Sequence, residues 1–186
     1  MNIAVVPARG GSQRIPKKNI FEFCGNPMIA YSIETALASE NIEKVIVSTD
    51  SEEIAEIALR YGAEVPFQRP ANLSDHHTPT APVIAHAVQQ MQNSGDDVKY
   101  ACCIYPCTPL LTSECLDEIY QKMLDGDHMF SYPVVRYSHP IQRAMRMASN
   151  GKMSLFQPEH ELTRTQDLEP AYHDAGQFYW GKADAW

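Results

Sequence analysis

Short apolar runs alternate with amphipathic stretches along the first 135 residues of the chain. The apolar runs are continuous and rich in β-branched residues, which is typical of strands that are buried on both faces. This pattern predicts strands at residues 3–6, 44–48, 64–68, 100–105 and 129–135.

The stretches between these runs carry apolar residues at the three- and four-residue spacing of amphipathic helices. They predict helices at residues 28–37, 54–61, 83–92 and 116–123. Asp50 can cap the second helix, with Glu53 completing a capping box, and a ligand-binding role for Asp50 is the alternative. Gly62 is predicted to end this helix. Thr112 or Ser113 is predicted to cap the fourth helix.

Strands that alternate with helices predict an α/β fold with three layers, a mainly parallel sheet and right-handed crossovers. The pattern changes after about residue 138, where Asn150 and Gly151 stand between two extended runs. Asn-Gly in that setting predicts a hairpin, and we expect a β-ribbon at roughly residues 141–157 to project from the α/β body. Residues 177–180 predict one more strand. We expect residues 1–186 to form a single domain.

The chain has 186 residues with 15 basic and 23 acidic side chains, which gives a net charge of −8. This excess of negative charge argues against binding to nucleic acids or membrane surfaces, because both depend on positive charge. No apolar run approaches the roughly 18 residues of a membrane-spanning helix. The first residues also lack the basic region of a signal peptide, so we expect a cytoplasmic protein.

The cysteines are odd in number and contain no CxxC pair; they are Cys24, Cys102, Cys103, Cys107 and Cys115. Reduced, mostly buried thiols in a reducing compartment are the expectation, and the spacing is wrong for a zinc site. Cys107 follows a predicted strand, so a cysteine-based hydrolase stays open as a hypothesis beside a packing role.

A glycine-rich basic loop follows the first predicted strand, where ligands bind in open α/β sheets. Adjacent glycines let backbone N–H groups approach an anion closely, and basic side chains neutralise a polyphosphate. The residues concerned are Arg9, Gly10, Gly11, Arg14, Lys17 and Lys18. The loop matches neither GxGxxG nor GxxxxGK[ST], which disfavours a dinucleotide fold and a Walker-type loop. A solvated basic loop without a ligand remains the alternative.

Residues 6–20 (VPARGGSQRIPKKNI) resemble the signature of acylneuraminate cytidylyltransferases, the CMP-sialic acid synthetases. Three later segments agree in order: residues 47–50 (VSTD), 69–75 (RPANLSD) and 106–110 (PCTPL). The resemblance implies a Rossmann-like fold of the nucleotide-diphospho-sugar transferase type. It also implies that CTP and a nine-carbon 2-keto sugar acid react to a CMP-sugar and pyrophosphate, in a homodimer.

Residues 139–144 (HPIQRA) and 172–181 (YHDAGQFYWG) are similar to the branch of this family that activates pseudaminic acid. Sialic-acid enzymes usually carry glutamine where this chain has Tyr105, and an Arg-Pro-Asn-Gly-type stretch where it has residues 173–176. The resemblance therefore favours pseudaminate as the sugar acid, with N-acylneuraminate or legionaminate as the alternatives.

For CTP, the resemblance implies that Arg9 and the backbone of residues 10–12 (Gly10, Gly11 and Ser12) hold the phosphates. Lys18 matches a lysine near the α-phosphate and, with Arg9, is the expected catalytic residue. Asn19 matches a contact to the cytosine or ribose. Arg69 and Thr80 fall in the loop that reads the cytosine, and Thr78 is an alternative to Thr80.

For the sugar acid, the resemblance implies that Arg164 pairs with the carboxylate, because a planar bidentate donor suits that group. Tyr105 and Gln177 are expected sugar contacts. A surface position for Arg164 is the alternative.

Mg²⁺ is expected from the chemistry of transfer to a nucleotide phosphorus, but its ligands are unknown. In the family they come largely from an Asp-x-Asp stretch beyond the segment that matches residues 177–181, and no such stretch precedes Trp186. We therefore expect a missing C-terminal part, and an inactive truncated nucleotide-binding module is a further hypothesis. Adjacent His76 and His77 are expected in a solvated loop rather than as a metal pair.

Overall fold

A computed structural model of the chain describes residues 1–12 and 15–186. Four α-helices lie in this part of the chain: α1 Met28–Leu37, α2 Glu52–Arg60, α3 Thr80–Asn93 and α4 Ser113–Asp125. The strands in the first half are β1 Asn2–Pro7, β2 Glu22–Phe23, β3 Asn26–Pro27, β4 Lys44–Ser48 and β5 Tyr100–Ile104. The later strands are β6 Phe130–Ser131, β7 Val134–Arg136, β8 Met145–Met147, β9 Met153–Leu155, β10 Tyr172–Asp174 and β11 Phe178–Lys182.

A five-stranded sheet forms the centre of the fold, in the order β4-β1-β5-β11-β6. β4, β1 and β5 are parallel, whereas β11 runs antiparallel to both of its neighbours. The register pairs Pro7 with Ser48, so β1 and β4 end side by side at their carboxyl ends. The predicted α/β class with a mainly parallel sheet is confirmed.

Alternate residues of the sheet pack into two separate cores. Ala4 and Val6 of β1 face α1, α2 and α4, whereas Ile3 and Val5 face α3. The continuous apolar runs thus belong to strands covered by helices on both faces, as the sequence pattern predicts. The result is the predicted three-layer arrangement, with three helices on one face and α3 on the other.

The chain divides into two compact units. The first consists of Met1–Pro133 and Gly176–Trp186 and contains the five-stranded sheet. The second, Val134–Ala175, contains the β7–β10 pair and the β8–β9 hairpin. Gly151 has a φ of +79° in the turn of this hairpin, which explains why Asn-Gly marks the predicted ribbon.

Two predicted strands are wrong, and proline accounts for both. The expected strand at residues 64–68 is reduced to a single bridge between Ile46 and Glu64, because Pro66 has no N–H to continue the ladder. The expected strand at residues 129–135 is divided at Pro133 into β6 and β7, which belong to different sheets.

Two predicted helix starts are also corrected. Ser51, not Asp50, caps α2, and its side chain accepts a hydrogen bond from the Ile54 N–H. α3 begins at Thr80 rather than Val83, because Pro82 lies in the first turn, where its missing N–H has no intrahelical partner to lose. At α4, Thr112 rather than Ser113 is the cap, and its side chain accepts a hydrogen bond from the Cys115 N–H.

Candidate active site

A cleft of about 890 Å³ opens within the first unit, beside the carboxyl ends of β1 and β5. Ligands bind at this edge in open α/β sheets. The lining is contributed by the loop after β1, the segment before α3 and the segment after β5. The polar and thiol side chains on it are Arg9, Ser12, Lys18, Asn19, Arg69, Asp75, His76, Thr78, Thr80, Tyr105 and Cys107.

The loop after β1 is fastened to the segment that follows β4. The Ala8 N–H donates to the Ser48 carbonyl at 2.9 Å, and the Gly10 N–H donates to Asp50 Oδ1 at 2.8 Å. A Cβ on Gly10 would lie 3.1 Å from the Ser51 Cβ, so the loop passes close to the start of α2. This close approach is a physical reason for glycine at position 10.

Asn19 connects three parts of the cleft wall. Its Nδ2 donates to the Arg9 carbonyl at 3.0 Å, and its Oδ1 accepts from the Cys107 thiol at 3.6 Å. Burial raises the pKa of Cys107, while the positive charge of Lys18 lowers it to a lesser degree. The thiol is therefore a hydrogen-bond donor at neutral pH and a poor nucleophile, which disfavours the hydrolase hypothesis.

Arg69 is a buried cation at the base of the cleft. It is 5% exposed and donates through Nε to the Ser48 hydroxyl at 3.1 Å and through Nη2 to the Ser48 carbonyl. Burial lowers the pKa of Arg69 to about 10; the negative charge of Asp50 acts against this shift, and the positive charge of Arg9 adds to it. Arg69 thus remains positively charged at neutral pH and favours an anion or a hydrogen-bond acceptor in the cleft.

Tyr105 forms another wall of the cleft. Its hydroxyl lies 3.3 Å from Thr80 Oγ1, and its ring packs edge to face against Tyr179, with 5.5 Å between ring centroids. Its carbonyl accepts hydrogen bonds from the hydroxyls of Ser32 and Thr108, both buried. Tyr105 is therefore fixed through its backbone and its side chain.

The structure brings most of the predicted CTP residues together on the cleft lining: Arg9, Ser12, Lys18, Asn19, Arg69 and Thr80, with the alternative Thr78. Gly10 and Gly11 lie in the same loop, but the Gly10 N–H is directed to Asp50. Arg14, counted among the loop cations, lies outside the described residues.

The predicted sugar-acid residues are placed differently. Tyr105 lines the cleft, and its N–H donates at 2.9 Å to the carbonyl of Gln177, which follows the cleft residue Gly176. Arg164 belongs to the second unit, where it pairs with Asp167 at 2.8 Å and its side chain is 74% exposed. Its carboxylate-binding role stays a prediction.

Sequence reasoning did not single out Asp75. Its Oδ1 accepts hydrogen bonds from the N–H groups of His77 and Thr78 and from the Thr78 hydroxyl. The pKa of Asp75 lies below its ordinary value, chiefly because of the hydrogen bonds from Thr78. The sequence did contain a signal for this turn. Asp75 precedes His77 by two residues and Thr78 by three, which is the spacing of an Asx-turn.

No group of three or more histidine, cysteine, aspartate or glutamate side chains is arranged to hold a metal ion within residues 1–12 and 15–186. The described side chains thus do not form a protein cage for Mg²⁺. Mg²⁺ commonly keeps several waters and binds through one or two carboxylates together with substrate phosphates. The helices of the described chain also include none with the length and apolarity needed to cross a lipid bilayer.

The sheet order and the basic cleft define a nucleotide-binding α/β protein. The family model described as Cytidylyltransferase matches residues 3–183, and the chain belongs to this family. It is 43% identical over 185 residues to pseudaminic acid cytidylyltransferase of Campylobacter jejuni, covering 100% of this chain and 80% of that protein.

Two further comparisons place the chain more broadly. It is 32% identical over 181 residues to N-acylneuraminate cytidylyltransferase of Escherichia coli, covering 95% of this chain and 41% of that protein. Among solved structures, CMP:2-keto-3-deoxy-manno-octonic acid synthetase complexed with CTP is similar, with a TM-score of 0.66 and 20% identity over 99% of this chain and 75% of that one. At this identity the structural match shows the fold alone.

Proposed function

We propose that the protein transfers CMP from CTP to pseudaminic acid and releases pyrophosphate. The observation that carries this proposal is the 43% identity to the C. jejuni pseudaminic acid cytidylyltransferase over the whole chain. The identity to the N-acylneuraminate enzyme of E. coli is lower, at 32%. Tyr105, where sialic-acid enzymes usually carry glutamine, supports the same choice of sugar.

In this reaction the anomeric hydroxyl oxygen of the sugar acid bonds to the α-phosphorus of CTP. The bond from that phosphorus to the β-phosphate oxygen breaks, pyrophosphate leaves, and the hydroxyl proton passes to water. No covalent enzyme intermediate is needed, so positioning and charge neutralisation supply most of the catalysis. Lys18 and Arg9 are the proposed sources of positive charge, and both line the cleft.

The base and ribose of CTP are proposed to lie against Asn19, Arg69 and Thr80. Arg69 is held rigidly by Ser48, and Thr80 is oriented by the Tyr105 hydroxyl. Fixed donors of this kind favour binding because little side-chain entropy is lost on contact. The sugar acid is proposed to contact Tyr105 and Gln177, with Arg164 pairing with its carboxylate.

Mg²⁺ dependence is part of the proposal and rests on the chemistry alone. Transfer at a nucleotide phosphorus normally requires a divalent cation on the phosphate oxygens. The ligands of this Mg²⁺ stay unidentified among the described residues.

A homodimer and a cytoplasmic location complete the proposal. The second unit exposes Met145, Met147, Met153 and Phe156 in the isolated chain, and exposed apolar clusters favour association. The five cysteines are all free thiols, which fits a reducing compartment. Light scattering on the purified protein tests for a particle of twice the chain mass of 20.9 kDa.

The deciding experiment measures pyrophosphate release with CTP, Mg²⁺ and each of three purified acids: pseudaminate, N-acylneuraminate and legionaminate. Turnover with pseudaminate at least about tenfold above the other two is expected, a ratio that corresponds to about 1.4 kcal/mol. Preferred turnover of another acid would transfer the proposal to that sugar. CTP binding by calorimetry without turnover of any acid would instead support an inert nucleotide-binding module.

A further inference from the structure

The segment from Ser48 to Glu53 contacts the basic loop at three points. The Ser48 carbonyl accepts from the Ala8 N–H, and Asp50 Oδ1 accepts from the Gly10 N–H. Glu53 pairs with Lys17 at 2.7 Å. The loop therefore has contacts to one short segment near its start and again near its end.

These contacts differ in strength. The Lys17–Glu53 pair is exposed, with 66% and 51% of the side chains accessible, so solvent screens it and it contributes little. The contact from Gly10 to Asp50 joins a backbone N–H to a carboxylate at 2.8 Å, and hydrogen bonds to an ionised acceptor are roughly twice as strong as neutral ones. Asp50 is therefore the stronger side-chain contact of the two.

Asp50 is available for this contact because it does not cap α2. Ser51 is the cap, through the hydrogen bond from the Ile54 N–H to its hydroxyl. The carboxylate of Asp50 also stabilises the charged form of Arg69 against burial. One side chain thus acts on the basic loop and on the buried cation at the base of the cleft.

We propose that Asp50 is a positioning residue for the nucleotide phosphates: it fixes the Gly10 N–H and so sets the position of the loop residues that lead to Ser12 on the cleft lining. This inference rests on the proposed function for the identity of the ligand. Its geometric part, the hold on Gly10, is independent of that function. Asp50 acts through the loop and through no direct contact with a reacting atom.

The test uses the full chain and three variants. Asp50→Ala removes the acceptor, Asp50→Asn keeps an oxygen in the same place without the charge, and Glu53→Gln is the matched control in the same segment. Amide exchange of Gly10, followed by NMR on the ligand-free protein, reports the hydrogen bond directly. Calorimetry with CTP reports the effect on binding, and thermal melts report folding.

For Asp50→Ala we expect faster exchange of the Gly10 N–H and about tenfold weaker CTP binding, the size that follows from losing one hydrogen bond to a charged acceptor. Asp50→Asn should recover most of the CTP affinity, and Glu53→Gln should stay within about twofold of the wild type. If Asp50 served only to stabilise the fold, the asparagine variant would not regain CTP affinity more than it regains thermal stability.

Unchanged Gly10 exchange in Asp50→Ala would overturn the proposal, as would equal loss of CTP affinity in the alanine and asparagine variants. If Asp50→Ala does not fold, Gly10→Ala tests the same contact from the loop side, since its Cβ would press on Ser51 at 3.1 Å. A wild-type protein that binds no CTP would refute the proposed function, while the exchange data would still decide whether Asp50 holds the loop.

Discussion

Arg69 donates two hydrogen bonds to a single residue, Ser48, through Nε to the hydroxyl and through Nη2 to the carbonyl, and both residues are buried. The Arg69 N–H also donates to the Thr49 carbonyl at 2.8 Å. The buried guanidinium is thus fixed to the end of β4 by its backbone and its side chain. Burial lowers the pKa of Arg69 to about 10 because it disfavours the charged form, so keeping this charge inside the fold has an electrostatic cost.

Replacing Arg69 with methionine should weaken both CTP binding and the fold. The charge and donors for CTP are lost, so we expect at least tenfold weaker binding, equal to about 1.4 kcal/mol. The melting temperature should also fall, because the buried Ser48 hydroxyl and carbonyl lose the two donors that Arg69 supplies. Calorimetry and thermal melts measure the two effects, with Arg60→Met on α2 as the exposed control. An unchanged melting temperature would contradict a stabilising role for the contacts between Arg69 and Ser48.

Lys18→Ala tests the proposed stabilisation of the transition state. Removal of one such group typically lowers turnover by about 100-fold or more, while a partly exposed lysine contributes little to folding. Steady-state pyrophosphate release and urea unfolding measure the two effects. Lys122→Ala on α4, which removes only an exposed pair with Glu118, is the control. Turnover equal to that of the wild type would place Lys18 outside the site.

Tyr105 should influence the choice of sugar acid. Tyr105→Gln introduces the residue usual in sialic-acid enzymes, and we expect the ratio of kcat/KM for pseudaminate over N-acylneuraminate to fall by about tenfold. Tyr105→Phe keeps the contact with Tyr179 but removes the hydroxyl at 3.3 Å from Thr80, so it should change KM for CTP more than the sugar ratio. An unaltered ratio in Tyr105→Gln would mean that sugar choice lies elsewhere.

Cys107 should react slowly with iodoacetamide at pH 7, because burial raises its pKa and the thiolate is the nucleophile. The rate of alkylation should rise as the pH increases through and above 9. At pH 7 the rate should be lower in Lys18→Ala than in the wild type, because this variant removes the charge that lowers the pKa of Cys107. Mass spectrometry on a Cys24→Ser background, which removes the exposed thiol, measures the rate. Turnover retained in Cys107→Ala would complete the case against a catalytic thiol.

Asp117 should contribute pH-dependent stability. Burial raises its pKa, but hydrogen bonds from Ser39, Asn41 and the Glu40 N–H outweigh burial, and the pKa lies below 3.8. A carboxylate with a lowered pKa stabilises the fold above its unfolded-state pKa, and this contribution is lost as the pH falls through the folded-state value.

Asp117→Ala should therefore lower the free energy of unfolding by about 1–3 kcal/mol at pH 7, with a smaller difference from the wild type below pH 3.8. Urea unfolding at several pH values measures this difference. Asp125→Ala, on the exposed end of α4, should cost less than about 0.5 kcal/mol. A difference that stays constant from pH 7 to pH 3 would contradict the assigned cause.

Helical and strand periodicity predicted the three-layer fold because covered strands must be apolar on both faces. α1, β4 and β5 begin within one residue of their predicted positions. The errors fall where proline or local competition decides: Pro66 and Pro133 interrupt strands, and Ser51 replaces Asp50 as the cap. Hydrophobic periodicity shows which face of a segment is buried. It does not show which of two adjacent polar residues will form a hydrogen bond with another segment.

The same distinction, between what the sequence determines and what tertiary contacts determine, holds for the cleft. The sequence by itself determined the class of fold, the basic loop after β1, and the residue types that make a phosphate site. Only the tertiary structure decided that Asp50 turns to Gly10, that Arg69 is buried against Ser48, and that Asn19 joins Arg9 to Cys107. These pairs are separated by between 10 and 88 residues along the chain. Local propensity acts over a few residues, whereas such contacts arise only when the parallel strands bring their carboxyl ends to one edge of the sheet.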